Sequence, residues 1–311
     1  MPPSQRAVLD RLRDLCAAGE FEEAEAEARS LAAVPRVRGG DSLVVSWLAR
    51  SFATRAAIAH GRGAEVLPEL ETLITELEQK ADSYGPNVRV LLLGLRSNRV
   101  AVLVGQGRYT EGEAEAQDIL RALARLAHLT AVWETELSAL TNLAAALNGQ
   151  GRYEEAEAIA RGNLPRADEP TAVVLRRVLG RSLNGQGRYE EALAEVGRLA
   201  PLGRADSGAV DIDTARALHG LGRRSEAEAA VRQALTACEQ FLHPAHPRTR
   251  DARTLLTRIT VEDPAPNELV RSRATKDAPR AASSVRAASR EARMSTRTHA
   301  PGSPTRAGWC P

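Results

Sequence analysis

Residues 147–156 and 183–192 are the same ten residues, Leu-Asn-Gly-Gln-Gly-Arg-Tyr-Glu-Glu-Ala. Weaker copies stand at Gly19-Glu20-Phe21-Glu22-Glu23-Ala24, at Gly107-Arg108-Tyr109 and at Gly222-Arg223-Arg224-Ser225-Glu226-Ala227. A degenerate copy runs Gly61-Arg62-Gly63-Ala64-Glu65-Val66. Self-similarity at a period of tens of residues is the signature of a repeat array. In such an array each unit buries its apolar face only against its neighbours, so no fixed domain size applies. Arrays of this kind usually hold partners and rarely perform chemistry, so the pattern says more about how the chain binds than about what it binds.

The turn glycines Gly19, Gly61, Gly107, Gly151, Gly187 and Gly222 mark the register, at intervals of 42, 46, 44, 36 and 35 residues. Each interval holds two helical patterns. Leu140, Leu143, Ala144 and Leu147 recur at three and four, one face of a helix. Asn148-Gly149-Gln150-Gly151 stops it, because Gly past a helix end takes φ > 0 without a Cβ penalty. Tyr153 restarts the pattern, with Glu154 and Glu155 at the positive end of the helix dipole and Ala156, Ile159 and Ala160 on the buried face. Hydrophobic residues make up 43% of the chain but aromatics only 3%, so Ala, Leu and Val must build the core. Ala and Leu are strong helix formers.

With the turn Gly numbered fifteenth in its unit, position 8 is Ala144, Gly180 and Ala215. Position 17 is Phe21, Tyr109, Tyr153 and Tyr189, and position 20 is Ala24, Ala156, Ala192 and Ala227. This pattern resembles the tetratricopeptide repeat (TPR), a 34-residue helix–turn–helix unit. The resemblance covers roughly residues 4–261. It implies an all-α fold, a right-handed α-solenoid of about six units plus a capping helix. Small residues at 8 and 20 let the two helices of a unit approach, and the ring at 17 wedges between units. Gly63 and Arg224 at position 17, and Val66 and Gly112 at position 20, depart from the pattern and predict looser packing there. Units longer than 34 residues, and the loop Leu242-His243-Pro244-Ala245-His246-Pro247-Arg248-Thr249, resemble the subtype of kinesin light chains and many actinobacterial proteins. The Arg-for-Lys skew, with only Lys80 and Lys276 as lysines, resembles the composition of high-GC genomes of that kind.

The periodicity predicts helices over 4–17, 20–34, 42–60, 64–83, 87–105, 109–128, 130–148, 152–163, 170–184, 188–199, 208–220, 224–241 and 247–260. The last of these is expected to be a solvating cap on an otherwise bare stacking face. Residues 1–261 form the TPR-like solenoid. Residues 262–311 are rich in Arg, Ala, Ser and Pro, with few large apolar residues to offset ordering entropy, and are expected to be a disordered basic tail. From residue 263 onward the net charge is +5, against −3 for the preceding part.

Cys16, Cys238 and Cys310 are far apart and odd in number, which indicates neither a disulfide framework nor a zinc site. No segment reads as a signal peptide or membrane span, so a cytoplasmic location is expected. His243 and His246 could place two imidazoles near a metal, but no third ligand is evident and a turn suffices to explain the motif. Glu154-Glu155 and Glu190-Glu191 do not face each other as catalytic pairs would. No P-loop, dinucleotide fingerprint or nucleophile elbow occurs. The expectation is a non-enzyme without a cofactor. The tail's charge is too sparse, and too poor in aromatics, to favour nucleic acid. The helical spacing of Trp47 and Trp133 favours the core over a partner-facing position.

The resemblance also implies a concave wall built from the first helix of each unit, with positions 2, 5, 9 and 12 facing inward. In unit four these are Ser138, Thr141, Ala145 and Asn148; in unit five Val174, Arg177, Arg181 and Asn184; in unit six Ala209, Ile212, Arg216 and His219. Position 6 carries Asn98 and Asn142, which resemble the asparagines that clamp a peptide backbone or C-terminus in some TPR proteins. Arg177 and Arg181 lie one turn apart, and Arg216 occupies the position of Arg181 in the next unit. Three planar guanidiniums favour a carboxylate or acidic peptide. The bland alternative is that an Arg-rich chain collects Arg on any exposed face. The candidate partner-binding residues are Asn98, Ser138, Thr141, Asn142, Arg177, Arg181, Asn184, Arg216 and His219. The expected function is a scaffold or adaptor binding a protein segment in this groove. The alternative is the sensor component of a transcriptional or NTPase-linked regulatory system acting in trans.

Overall fold

Gly151 has φ 77°, in the left-handed region that a Cβ disfavours, and the other five turn glycines share it. The computed structural model describes residues 3–34, 40–167, 169–199 and 208–261. Among these residues there are thirteen α-helices and no strand. They are α1 (Pro3–Ala18), α2 (Phe21–Ala33), α3 (Gly40–His60), α4 (Gly63–Tyr84), α5 (Pro86–Gly105), α6 (Tyr109–Leu126) and α7 (Trp133–Gly149). Then follow α8 (Tyr153–Asn163), α9 (Glu169–Gly185), α10 (Tyr189–Val196), α11 (Ala209–Gly220), α12 (Arg224–Phe241) and α13 (Pro247–Thr260). Every helix expected from periodicity is present, and the expected tail lies outside the described residues. No helix among them is long and apolar enough to cross a membrane.

Each helix packs on its sequence neighbours, and the odd-numbered helices also pack on one another from α1 to α13. The first helices of successive units therefore form one continuous layer, the arrangement of an α-solenoid. The small residues sit where the helices meet. Ala24, Ala156, Ala192 and Ala227 at position 20, and Ala144 and Ala215 at position 8, are fully buried. At Gly180 an added Cβ would lie 2.8 Å from Val196 Cγ2, so α9 and α10 approach more closely than alanine allows.

The ring at position 17 has a defined seat. Tyr109 lies over Gly149, Tyr153 over Gly185 and Tyr189 over Gly220. In each case a Cβ on the glycine would lie 2.3–2.4 Å from the nearest tyrosine ring atom, far inside van der Waals contact. The glycine is position 13 of the following unit, so each ring pins one unit to the next.

A polar ladder runs along the same joints. Arg152 donates two bonds of 2.6 Å to Glu155 in its own unit and two of 2.7 and 2.8 Å to Glu113 in the preceding one. Arg188 repeats this with Glu191 and Glu157. Gln150 and Gln186 add donors to the same Glu113 and Glu157, each at 2.7 Å. Arg62 pairs with Glu25 at the first joint. The glutamate is absent at two joints, where Leu67 and Leu193 stand at its position.

One core cluster runs through units three to five, where the repeats are closest to identical, and reaches Ala217 of unit six. Separate clusters fill the N-terminal units and the α11–α13 end. Trp47 is fully buried and donates its indole N–H to Glu76 at 3.0 Å. Trp133 is half-buried beneath the Arg166 guanidinium, 4.2 Å from its ring.

The joint between units two and three is completed differently. Gly63 supplies no ring at position 17, and the glycine that would seat one, Gly105, lies instead against Pro247 at the start of α13. A Cβ on Gly61 would lie 2.7 Å from the His246 ring. The His243 N–H donates to the His60 carbonyl at 3.0 Å. The His-Pro loop between α12 and α13 therefore packs on the turn of unit two, far from it in sequence.

Candidate concave binding site

The odd-numbered helices from α5 onward line an open cavity of about 950 Å³, near the top of the usual range for ligand pockets. Its walls come from α5, α7, α9, α11 and α13 and from the tyrosines that begin α6, α8 and α10. Among the expected site residues, Arg177, Arg181, Asn184, Arg216 and His219 line it together, and Asn148 joins them. Asn98, Ser138, Thr141 and Asn142 do not line it.

For Ser138, Thr141 and Asn142 the side chains are engaged in local bonding. Asn142 donates its amide to the Ser97 carbonyl at 2.9 Å and to Ser97 Oγ at 3.0 Å, stitching α7 to α5. Ser138 Oγ lies 3.1 Å from the same Ser97 Oγ. Thr141 donates to the Leu137 carbonyl within its own helix at 2.9 Å. Similar seams continue along the layer. Ser182 donates to Asn148 Oδ1 at 3.0 Å, and Asn184 Nδ2 donates to the Asp213 carbonyl at 2.9 Å.

The two cavity asparagines are only half satisfied. Asn148 Nδ2 and Asn184 Oδ1 are buried with no hydrogen-bond partner in the protein. Buried polar atoms are rarely left unmatched. These two occupy position 12 of adjacent units and leave an unmatched donor and an unmatched acceptor on residues that line the cavity. An extended backbone supplies the complementary pair.

Electrostatics are set by Asp213, which is 1% exposed on α11. Arg216 donates to it at 2.9 Å, and Arg181 Nε lies 3.6 Å away. Arg216 also pairs with Asp251 of α13. Burial opposes the charge on Arg216, but Asp213 and Asp251 outweigh it and hold its pKa above the usual arginine value. Arg181 and Arg216 are thus held in place by a buried carboxylate behind them. With Arg248 and Arg258 of α13 also in the wall, five guanidiniums line the cavity beside the single lining carboxylate of Asp251.

Two family models for the tetratricopeptide repeat match the chain, one over residues 137–166 and one over residues 173–198 and 208–233. The chain contains tetratricopeptide repeats. The matched segments are units four, five and six, whose first helices, α7, α9 and α11, carry Asn148, the arginine row and His219. No curated protein and no solved structure matches the chain. TPR arrays generally serve as protein-interaction scaffolds, and the cavity lies on the face that the first helices build.

Sequence reasoning missed two contributors to this site. Asp213 stands at position 6 of its unit, where Asn98 and Asn142 stand in theirs; Arg216 is its neighbour three residues on, but its second partner, Arg181, comes from α9. Arg248, Asp251 and Arg258 belong to a helix expected only to cap the stack. It does cover α12 with Ala252, Leu255 and Ile259, and its opposite flank closes the cavity. Among the described residues no group of three or more His, Cys, Asp or Glu could hold a metal ion. His246 Nδ1 instead accepts the Arg248 N–H at 2.9 Å and caps α13.

Proposed function

We propose that the chain is a non-catalytic scaffold or adaptor that holds an acidic segment of a partner protein in the TPR cavity. The observation that carries this reading is the convergence of Arg177, Arg181 and Arg216 from adjacent units on one cavity with Asn184 and His219. Arginine offers a planar fork of donors that matches a carboxylate. Adjacent packed helices are roughly 8–10 Å apart, the span of about three extended residues. A short peptide whose backbone meets Asn148 and Asn184 would bring its carboxylates, side-chain or C-terminal, to the arginine row.

The test is fluorescence anisotropy with a labelled hexaglutamate peptide ending in a free carboxylate. Arg177→Glu combined with Arg181→Gln should weaken binding at least tenfold, while Arg121→Glu on exposed α6 should leave it unchanged. Helical content is checked by circular dichroism. Equal affinity in the cavity variant and the wild type would reject the reading.

A further inference from the structure

Helix α13 brings a carboxylate of its own into the cavity. Asp251 pairs with Arg216, the last member of the arginine row, where an acidic ligand group would sit. The pair is partly open to solvent, with side-chain exposures of 43% for Asp251 and 25% for Arg216. Partly exposed ion pairs are screened and exchange readily for another of the same sign. The start of α13 is held to the turn of unit two through the His-Pro loop. Pro247 rests on Gly105, the His246 ring rests on Gly61, and the His243 N–H bonds the His60 carbonyl. These contacts occupy the joint that lacks a tyrosine. The rest of α13 is anchored elsewhere, through Ala252, Leu255 and Ile259 in the core shared with α11 and α12. The helix is therefore anchored in the core on one flank, and on the other it meets the cavity through Asp251 and the turn of unit two through the His-Pro loop.

We propose that the first turn of α13 is a built-in competitor for the partner, with Asp251 standing on Arg216 in place of a ligand carboxylate until the ligand displaces it. This rests on the acidic-segment reading of the cavity. A tethered competitor lowers apparent affinity by the fraction of molecules in which it is seated. It also sharpens selection, because a neutral segment gives Arg216 no replacement for Asp251. The missing ring at Gly63 acquires a purpose in this light. A tyrosine there would fill the seat over Gly105 and exclude Pro247.

The full chain and the near-isosteric variant Asp251→Asn are titrated with the labelled hexaglutamate peptide, and hydrogen exchange is followed in both proteins. Asp251→Asn should bind roughly five- to tenfold more tightly. Peptide should accelerate exchange of the His243 amide and of residues 249–251 in the wild type, and leave α12 unchanged. Equal or weaker binding by Asp251→Asn would overturn the proposal. If neither protein binds, the acidic-segment reading fails by itself, and the latch is judged by exchange without peptide. Faster exchange at His243 in Asp251→Asn then supports the latch, and identical exchange overturns it.

Discussion

A single methyl group decides much at the residue scale. Gly149, Gly185 and Gly220 each end a helix without a positive φ, so their backbone conformation does not call for glycine. They remain glycine because a tyrosine of the preceding unit lies on them. Gly162 in α8 is the counterexample, since nothing lies within 4 Å of a Cβ built there. Gly162→Ala should stabilise the protein by roughly 0.5–1 kcal/mol, read as an upward shift of the urea midpoint. The reverse holds at Ala192, fully buried at the contact between α9 and α10. Ala192→Leu should cost roughly 1–3 kcal/mol by overpacking, and an unchanged melting temperature would show that the register is misread. The position-20 alanines were legible as a spacing within one unit. The position-13 glycines were not, because the ring that explains each belongs to another unit. Asp213 was half legible: its i,i+3 pairing with Arg216 lies within α11, whereas its approach to Arg181 joins two units.

At the scale of elements, helices were legible and their joints were not. The glutamates after each turn read as dipole partners, which they are, but Glu155 and Glu191 also pair with Arg152 and Arg188. Glu113 and Glu157 extend that pairing across units. Glu157 is only 13% exposed; burial alone would raise its pKa, but Gln186, Arg161 and Arg188 together hold it below the usual carboxylate value. Glu157→Gln should therefore destabilise by roughly 0.5–1.5 kcal/mol near neutral pH, and the loss should shrink in high salt. The start of α13 adds a pH dependence. Burial, with Arg248 and His60 nearby, pushes the His246 pKa down to about 3. An unfolded histidine titrates near 6.5, so between pH 3 and 6.5 the unfolded chain binds the extra proton. Stability from this group is complete above 6.5 and is lost as pH falls towards 3. The lowered carboxylates act only below about 4.5, outside the pH 5–6.5 part of the His246 window. His246→Asn keeps a side chain able to cap α13 and does not titrate. Urea melts should show a flatter slope between pH 6.5 and 5 in that variant than in the wild type.

For the whole array, function depends on stacking that is held joint by joint. The arginine row is a row only because α9 and α11 are set in register by Tyr189 on Gly220, and α7 and α9 by Tyr153 on Gly185. The repeat pattern made the order of helices readable from the chain. It could not show that α13 returns to the turn of unit two, because the contact of His246 with Gly61 links positions with no shared periodicity. The interlock itself is measured by a double-mutant cycle on Tyr153 and Gly185 in urea. With the ring seated on the glycine, Gly185→Ala should cost roughly 1–3 kcal/mol in the wild type and become neutral or stabilising in Tyr153→Ala. Additive effects, with Gly185→Ala behaving alike in both backgrounds, would contradict the ring-on-glycine joint and the register of the concave wall built on it.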